Sequence, residues 1–269
     1  MEKQEKKAWI QKNKSKWFAL GAGLALLVLG IVLTVLTRTA AVAENAVDSS
    51  KIPFALGLIM ILLGVVIPLV AFLPERKKTD VRTLAMAALF AALCYIGFSY
   101  CKIDIPVGME KTAFHLGNVF CVLAALFLGG LWGGMAGAVG MTIADLTTAY
   151  VTSAPKTFLL KLCIGLITGF VAHKIFKISQ DREDRKVPVT VATVISCAAG
   201  MGFNIVADPL VGYFYKMYVL GVPQQAASIW AKIGAVTTSV NAVVAVIAAS
   251  VLYMALRKAM KRTNLMPKL

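Results

Sequence analysis

The sequence predicts an all-α integral membrane protein, a six-helix bundle preceded by two additional transmembrane helices. Three observations predict it. Of the 269 residues, 59% are hydrophobic and only 15% charged, a balance foreign to soluble domains and typical of helical membrane proteins. Apolar runs long enough to cross a hydrocarbon core of about 30 Å, at about 20 residues per helix, recur along almost the whole chain. The basic residues fall mainly on alternate connections between these runs.

The spans are expected at 17–37, 52–73, 83–99, 115–129, 132–151, 155–173, 188–212 and 228–256. With the N-terminus inside, the inner segments hold 20 of the 28 Lys and Arg residues and the outer segments six, while Lys161 and Lys232 lie within spans. By the positive-inside rule both termini are expected in the cytoplasm of a bacterial cell membrane. The net charge of +15 is thus read as a topology signal, and no nucleic-acid partner is expected.

Residues 1–79 read as a basic N-terminus with two transmembrane helices, 80–258 as a compact six-helix substrate-binding unit, and 259–269 as a basic cytoplasmic tail. The apolar run from Trp17 to Leu36 and the small residues ending at Ala43 can also be read as a cleavable signal peptide. The run exceeds the usual 7–15 apolar residues of such a core, and Arg38 interrupts the cleavage region, so a retained helix is the preferred reading. In the six-helix unit, Leu128-Gly129-Gly130-Leu131-Trp132-Gly133-Gly134 is too short and uncharged to be a domain, so the helices on either side are expected to be antiparallel neighbours. Ala87/Ala91, Ala88/Ala92, Gly133/Gly137 and Gly165/Gly169 are each four apart, which lets backbones approach closely in lipid. The glycine pairs suit packing within the chain; for the alanine pairs a partner protein is an open alternative.

Charged groups inside a membrane are costly and tend to line substrate paths or pair with one another. At about 1.5 Å per residue, Asp145, Lys161, Lys232, Asn204 and Asp208 all fall in the outer half of the bilayer, with Tyr213 near the top and His115 and Asn118 opening their helix from the outer loop. Lys156 lies beside them. The inner halves of the same helices are nearly free of charge, so the pattern is a polar pocket open outward above an apolar floor, unlike a through-channel. Each residue also has a structural reading: an Asp145–Lys161 ion pair, a capping His115, snorkelling Lys156 and Lys232, a kink at Asp208-Pro209, an interhelical bond from Asn204, an interface anchor in Tyr213. The loop from Lys102 to Thr112 suits a lid or an ordinary connection.

Several classes lack support. The nucleotide-binding pattern G-x-x-x-x-G-K-[ST], the zinc pattern H-E-x-x-H and the G-x-S-x-G elbow are absent from the sequence, so no catalytic residue, metal site or cofactor is expected. The five cysteines show no metal or redox spacing. No clear two-fold internal repeat is visible, which weakens but leaves open a stand-alone ion-coupled secondary transporter using Asp145 and Lys161.

The run Leu84-Ala85-Met86-Ala87-Ala88-Leu89-Phe90-Ala91-Ala92-Leu93, then Phe114-His115-Leu116-Gly117-Asn118, Ala144-Asp145-Leu146 and Ala154-Pro155-Lys156-Thr157-Phe158-Leu159-Leu160-Lys161, resembles the substrate-binding S components of energy-coupling factor (ECF) vitamin transporters, riboflavin-type branch. The resemblance covers about 80–258. It implies a membrane subunit that binds a riboflavin-type vitamin, or a pyridoxine- or pyrimidine-like compound, from outside. It also implies partners, a transmembrane scaffold subunit and two cytosolic ATPases, with Ala87, Ala88, Ala91 and Ala92 on the docking face. Residues 1–79 have no counterpart in the usual six-helix pattern, and the last third follows it loosely.

Overall fold

In the computed structural model the described residues are 80–107, 110–180 and 187–263, with 14, 60 and most of 17–36. The chain divides into two compact units, Lys78–Tyr215 with Pro223–Leu269, and Met1–Lys77 with Lys216–Val222. In the smaller unit the described residues of Trp17–Gly30 are helical. The expected span at 52–73 and the choice between helix and signal peptide lie outside the described residues.

The larger unit runs α1 (Val81–Ser99), β1 (Lys102–Val107), β2 (Glu110–His115), α2 (Gly117–Thr147), α3 (Ala154–Phe170), α4 (Val189–Phe214) and α5 (Gln224–Arg262). All five helices are apolar and long enough, with their short extensions, to cross a bilayer. Asp80 caps α1 by accepting from the Arg82 N–H at 3.4 Å. A single turn of π-helix, Val171–Ile175, extends α3. At about 1.5 Å per residue α5 is about 58 Å long and must project beyond the hydrocarbon; its end carries Arg257, Lys258, Lys261 and Arg262.

The two spans expected at 115–129 and 132–151 are the arms of α2, which folds back on itself at Gly129. That residue sits at φ 79°, ψ 173°, a region open in practice to glycine alone. The fold-back follows from which residues face each other: a Cβ built on Gly133 would strike the Ala125 backbone, one on Gly137 the Cys121 sulfur, and one on Gly117 would press on the Met141 methyl. The arm 117–128 is buried on nearly every side, as expected for a helix apolar all round. It forms the core of the unit, with Phe127 against both Phe90 of α1 and Tyr253 of α5.

The arm 130–147 meets α3 through glycines. Gly130 and Gly134 face Gly169 and Gly165 so closely that a Cβ on either α3 glycine would enter the α2 backbone. In lipid, where burial of apolar surface drives nothing, such close van der Waals contact is what holds helices together. Gly140 packs in the same way on Ala91 of α1. The outward faces of α4 and α5 carry exposed Val191, Val206, Leu210, Val236, Val243, Ile247 and Val251, an apolar surface suited to lipid.

The loop expected at 102–112 is an antiparallel hairpin, β1–β2, pairing Lys102 with His115 and Val107 with Glu110. It closes the end of the bundle at which α1 finishes and both arms of α2 have their free ends.

Candidate functional site

Beneath this hairpin the helices bring together most of the predicted polar residues. Asn118 stands in the first turn of α2, and Asp145 near its other end; both are 1% exposed. Thr157 of α3 hydrogen-bonds the Asp145 carboxylate, and Lys161 follows one turn deeper, itself buried. Asn204 of α4 is 1% exposed at the level where α4 crosses α3, one turn from Gly200, whose Cα packs on Thr168 and the Ile164 carbonyl.

The charges pair differently from the sequence expectation. Asp145 and Lys161 form no ion pair within 4.0 Å; instead Lys156 Nζ lies 2.8 Å from Asp208 Oδ1. Thr238 of α5 donates to the other oxygen, Asp208 Oδ2, at 2.8 Å, so one carboxylate ties α3, α4 and α5 together. Pro209 follows Asp208 inside α4 and, lacking an N–H, leaves one hydrogen bond of the helix unmade. With Asp208 neutralising Lys156, the carboxylate of Asp145 and the ammonium of Lys161 are left apart and within one enclosed region.

Six enclosed polar atoms at this end have no hydrogen-bond partner: Ser99 Oγ, His115 Nδ1, Asn118 Oδ1, Thr142 Oγ1, Asp145 Oδ2 and Asn204 Oδ1. Buried polar atoms are nearly always partnered, because an unmet one costs about 1–3 kcal/mol. The six lie on four elements, α1, β2, α2 and α4, and the enclosed polar region they outline, termed the chamber below, has hydrogen bonds left for something other than the chain to complete.

The hairpin above is fixed at both edges. Tyr150 donates to Asp104 Oδ1 at 2.9 Å, and Lys102 lies 3.3 Å from the same oxygen and 4.9 Å over the Tyr150 ring. Burial, and then Asp104, push the Tyr150 phenol above its ordinary range, so it remains a donor. On the other edge Asn241 and Thr237 of α5 hold β2. The His115 ring packs edge-to-face on Phe98 at 4.6 Å. Burial, reinforced by the charge of Lys161, lowers its pKa to about 3, so the imidazole is neutral at physiological pH.

Two predicted residues stand apart. Lys232 is exposed on α5, and the Tyr213 ring packs edge-to-face on Phe214 at 5.2 Å. The four alanines also separate. Ala87 is buried and Ala91 turns onto Gly140, while Ala88 and Ala92 are exposed. Sequence reasoning missed Thr157, Thr237, Thr238 and Asn241; polar side chains on one α5 stripe were their signal, at positions 237, 238 and 241. A shallow groove of about 400 Å³ on the flank, between the hairpin and α5, is a different feature, lined by Tyr100, Ile103, Leu116, Val240 and Val244 and reached by His115 alone of the predicted ligand residues.

Helices clad in apolar residues, glycine-packed and gathering buried polar groups at one end, define a multi-pass membrane protein. The family model described as ECF-type riboflavin transporter, S component, matches residues 78–258. The chain belongs to this family of transporter substrate-binding components. No curated protein and no solved structure matches the chain.

Proposed function

We propose that this chain captures a riboflavin-type vitamin in the chamber beneath the β1–β2 hairpin and hands it to partner subunits for ATP-driven uptake. The carrying observation is the set of six unpartnered polar atoms gathered at the hairpin end. An uncharged heteroaromatic ligand with both donors and acceptors on its edge suits them: Asp145 Oδ2, Asn118 Oδ1 and Asn204 Oδ1 accept, while Lys161 donates. Because Lys156 and Asp208 neutralise each other, and Asp145 and Lys161 offset each other, the chamber has no net charge to attract a strongly ionic solute.

The hairpin end is the outer one on this reading. Lys174, Lys177, Arg257, Lys258, Lys261 and Arg262 cluster at the opposite end, as the positive-inside rule requires of a cytoplasmic face. With no nucleotide-binding pattern in the chain, the energy for uptake comes from two cytosolic ATPases through a transmembrane scaffold. The exposed pair Ala88 and Ala92, flanked by Leu84, Leu89 and Ile96, is the docking face.

Purified full-length chain titrated with riboflavin, pyridoxine and pyrimidine-type vitamins tests the reading. Submicromolar binding of one of them, and uptake into vesicles only with scaffold, ATPases and ATP, is the expected result. Uptake by the chain alone on an ion gradient would overturn it in favour of a secondary carrier.

A further inference from the structure

The carboxamide of Asn241 bonds to backbone alone. Its Nδ2 donates to the Ala113 carbonyl at 3.0 Å, and its Oδ1 accepts from the His115 N–H at 3.0 Å. These two backbone groups belong together. The hairpin is closed by backbone pairing through residues that alternate with Ala113 and His115, as the Leu116 N–H to Cys101 carbonyl bond at 3.2 Å shows. The Ala113 C=O and His115 N–H therefore both point away from β1, to the unpaired edge of β2. A carboxamide has the donor and acceptor of a single peptide unit, and Asn241 occupies that edge as a one-residue third strand. Thr237, one helical turn earlier, adds a hydroxyl bond to Thr112 at 3.0 Å.

The neighbouring α5 residue, Thr238, bonds Asp208, so a single stripe of α5 sets both the lid strand and the chamber charge. His115 is the residue this arrangement controls. Its backbone is gripped by Asn241, its ring leans on Phe98, and its Nδ1 is enclosed without a partner.

We propose that Asn241 is a positioning residue for the binding chamber: by standing in for a missing strand at the β2 edge it sets the hairpin's seat on the bundle and holds the His115 imidazole ready for the ligand. The inference rests on the binding role of the chamber, but the seating of His115 is measurable without any ligand. The charged groups acting on the ring are Lys102 from β1, Lys161 from α3 and Asp208 from α4; Phe98 of α1 and Asn241 of α5 contribute none.

The chain has two histidines, so ring NMR of the full-length, histidine-labelled protein in lipid nanodiscs resolves His115 with His173 as internal reference. His173 sits at the far end, bonded to the Ala125 carbonyl and Ser179. Asn241→Ala is expected to admit water beside His115 and raise its titration midpoint by about 1–2 pH units, leaving His173 unmoved. Asn241→Leu, which keeps the volume and loses both donor and acceptor without adding a charge, serves as the second variant and is expected to raise the midpoint too. In riboflavin titrations Asn241→Ala and His115→Ala are each expected to weaken binding about tenfold, and the double variant to be no weaker than His115→Ala alone.

An unmoved His115 midpoint in both Asn241 variants overturns the proposal. So do binding losses that simply add in the double variant, since they place the effect outside His115. If the wild-type chain binds no riboflavin, the ligand assignment fails, and the His115 midpoint still decides the role of Asn241.

Discussion

Asp145 and Lys161 carry opposite charges at the same end of the bundle and form no ion pair within 4.0 Å, while Lys156 pairs with Asp208. On the proposed reading, Asp145 Oδ2 and the Lys161 ammonium meet the ligand. Asp145→Asn and Lys161→Met are each expected to weaken vitamin binding by about ten- to a hundredfold, the worth of one charge-assisted hydrogen bond of about 1.5–3 kcal/mol. Isothermal titration checks this, with thermal unfolding of the ligand-free protein to confirm that the fold is kept. Lys156→Met is expected instead to lower the unfolding temperature, since it strands the Asp208 carboxylate between three helices. At this scale the sequence showed which residue types lie at which depth. Their pairing depended on the helical phase of α3 against α4, which no single span contains.

The lowered pKa of His115 predicts a pH dependence for the hairpin with a definite sign. Its folded pKa is held down to about 3, whereas a free imidazole titrates near 6.5. Seating of the hairpin is therefore at full strength above about pH 6.5 and weakens as the pH falls toward 3, where the open form takes up a proton that the closed form refuses. Amide exchange over 110–116, followed from pH 8 to pH 4, is expected to show opening that grows below about pH 6.5 and that vanishes as a pH effect in His115→Phe.

The helical elements were legible because their apolar runs are long and the breaks carry charge or glycine. The observed α1, α3 and α4 begin and end within a few residues of the expected spans. The glycine run at 128–134 was read as a tight reversal, and the facing of Gly133 with Ala125 bears that out. The hairpin was not legible as strands. Its strands are six residues each, β1 contains Pro106, and a two-stranded ribbon is marginal unless something pairs or covers it. What holds it, Asn241 and Tyr150, is 126 and 46 residues away in sequence. The start of α5 at Gln224, rather than 228, was hidden because its first turn is too polar to register as membrane span. Gly165→Leu is expected to abolish the α2–α3 contact and with it stable folding in detergent, because its side chain would have to displace the Gly134 backbone. Gly202→Ala, on a face with nothing within 4 Å, is the matched control and is expected to fold normally.

For the whole molecule, the alanine face divides into a half that packs within the chain and a half left outside. Gly140 takes Ala91, so only Ala88 and Ala92 are available to a scaffold protein. Ala88→Leu and Ala92→Leu are expected to leave vitamin binding within about twofold and to reduce co-purification of scaffold and ATPases at least tenfold. Equal loss of binding and assembly would point to misfolding of α1.

Composition, span length and the distribution of basic residues were enough to determine a membrane-embedded helical protein and the end of the bundle at which its polar groups collect, while the resemblance of the runs at 84–93, 114–118, 144–146 and 154–161 pointed to its family. These are properties of single segments and of the solvent each segment must satisfy. Only the tertiary structure decided that Lys156 pairs with Asp208, that Ala91 faces inward, that Lys232 and Tyr213 stand apart from the chamber, and that Asn241 completes the edge of a hairpin far from it in sequence. Each of these turns on the rotation of one helix against another, a quantity fixed by glycine contacts and hydrogen-bond geometry between segments rather than by the hydropathy of any one of them.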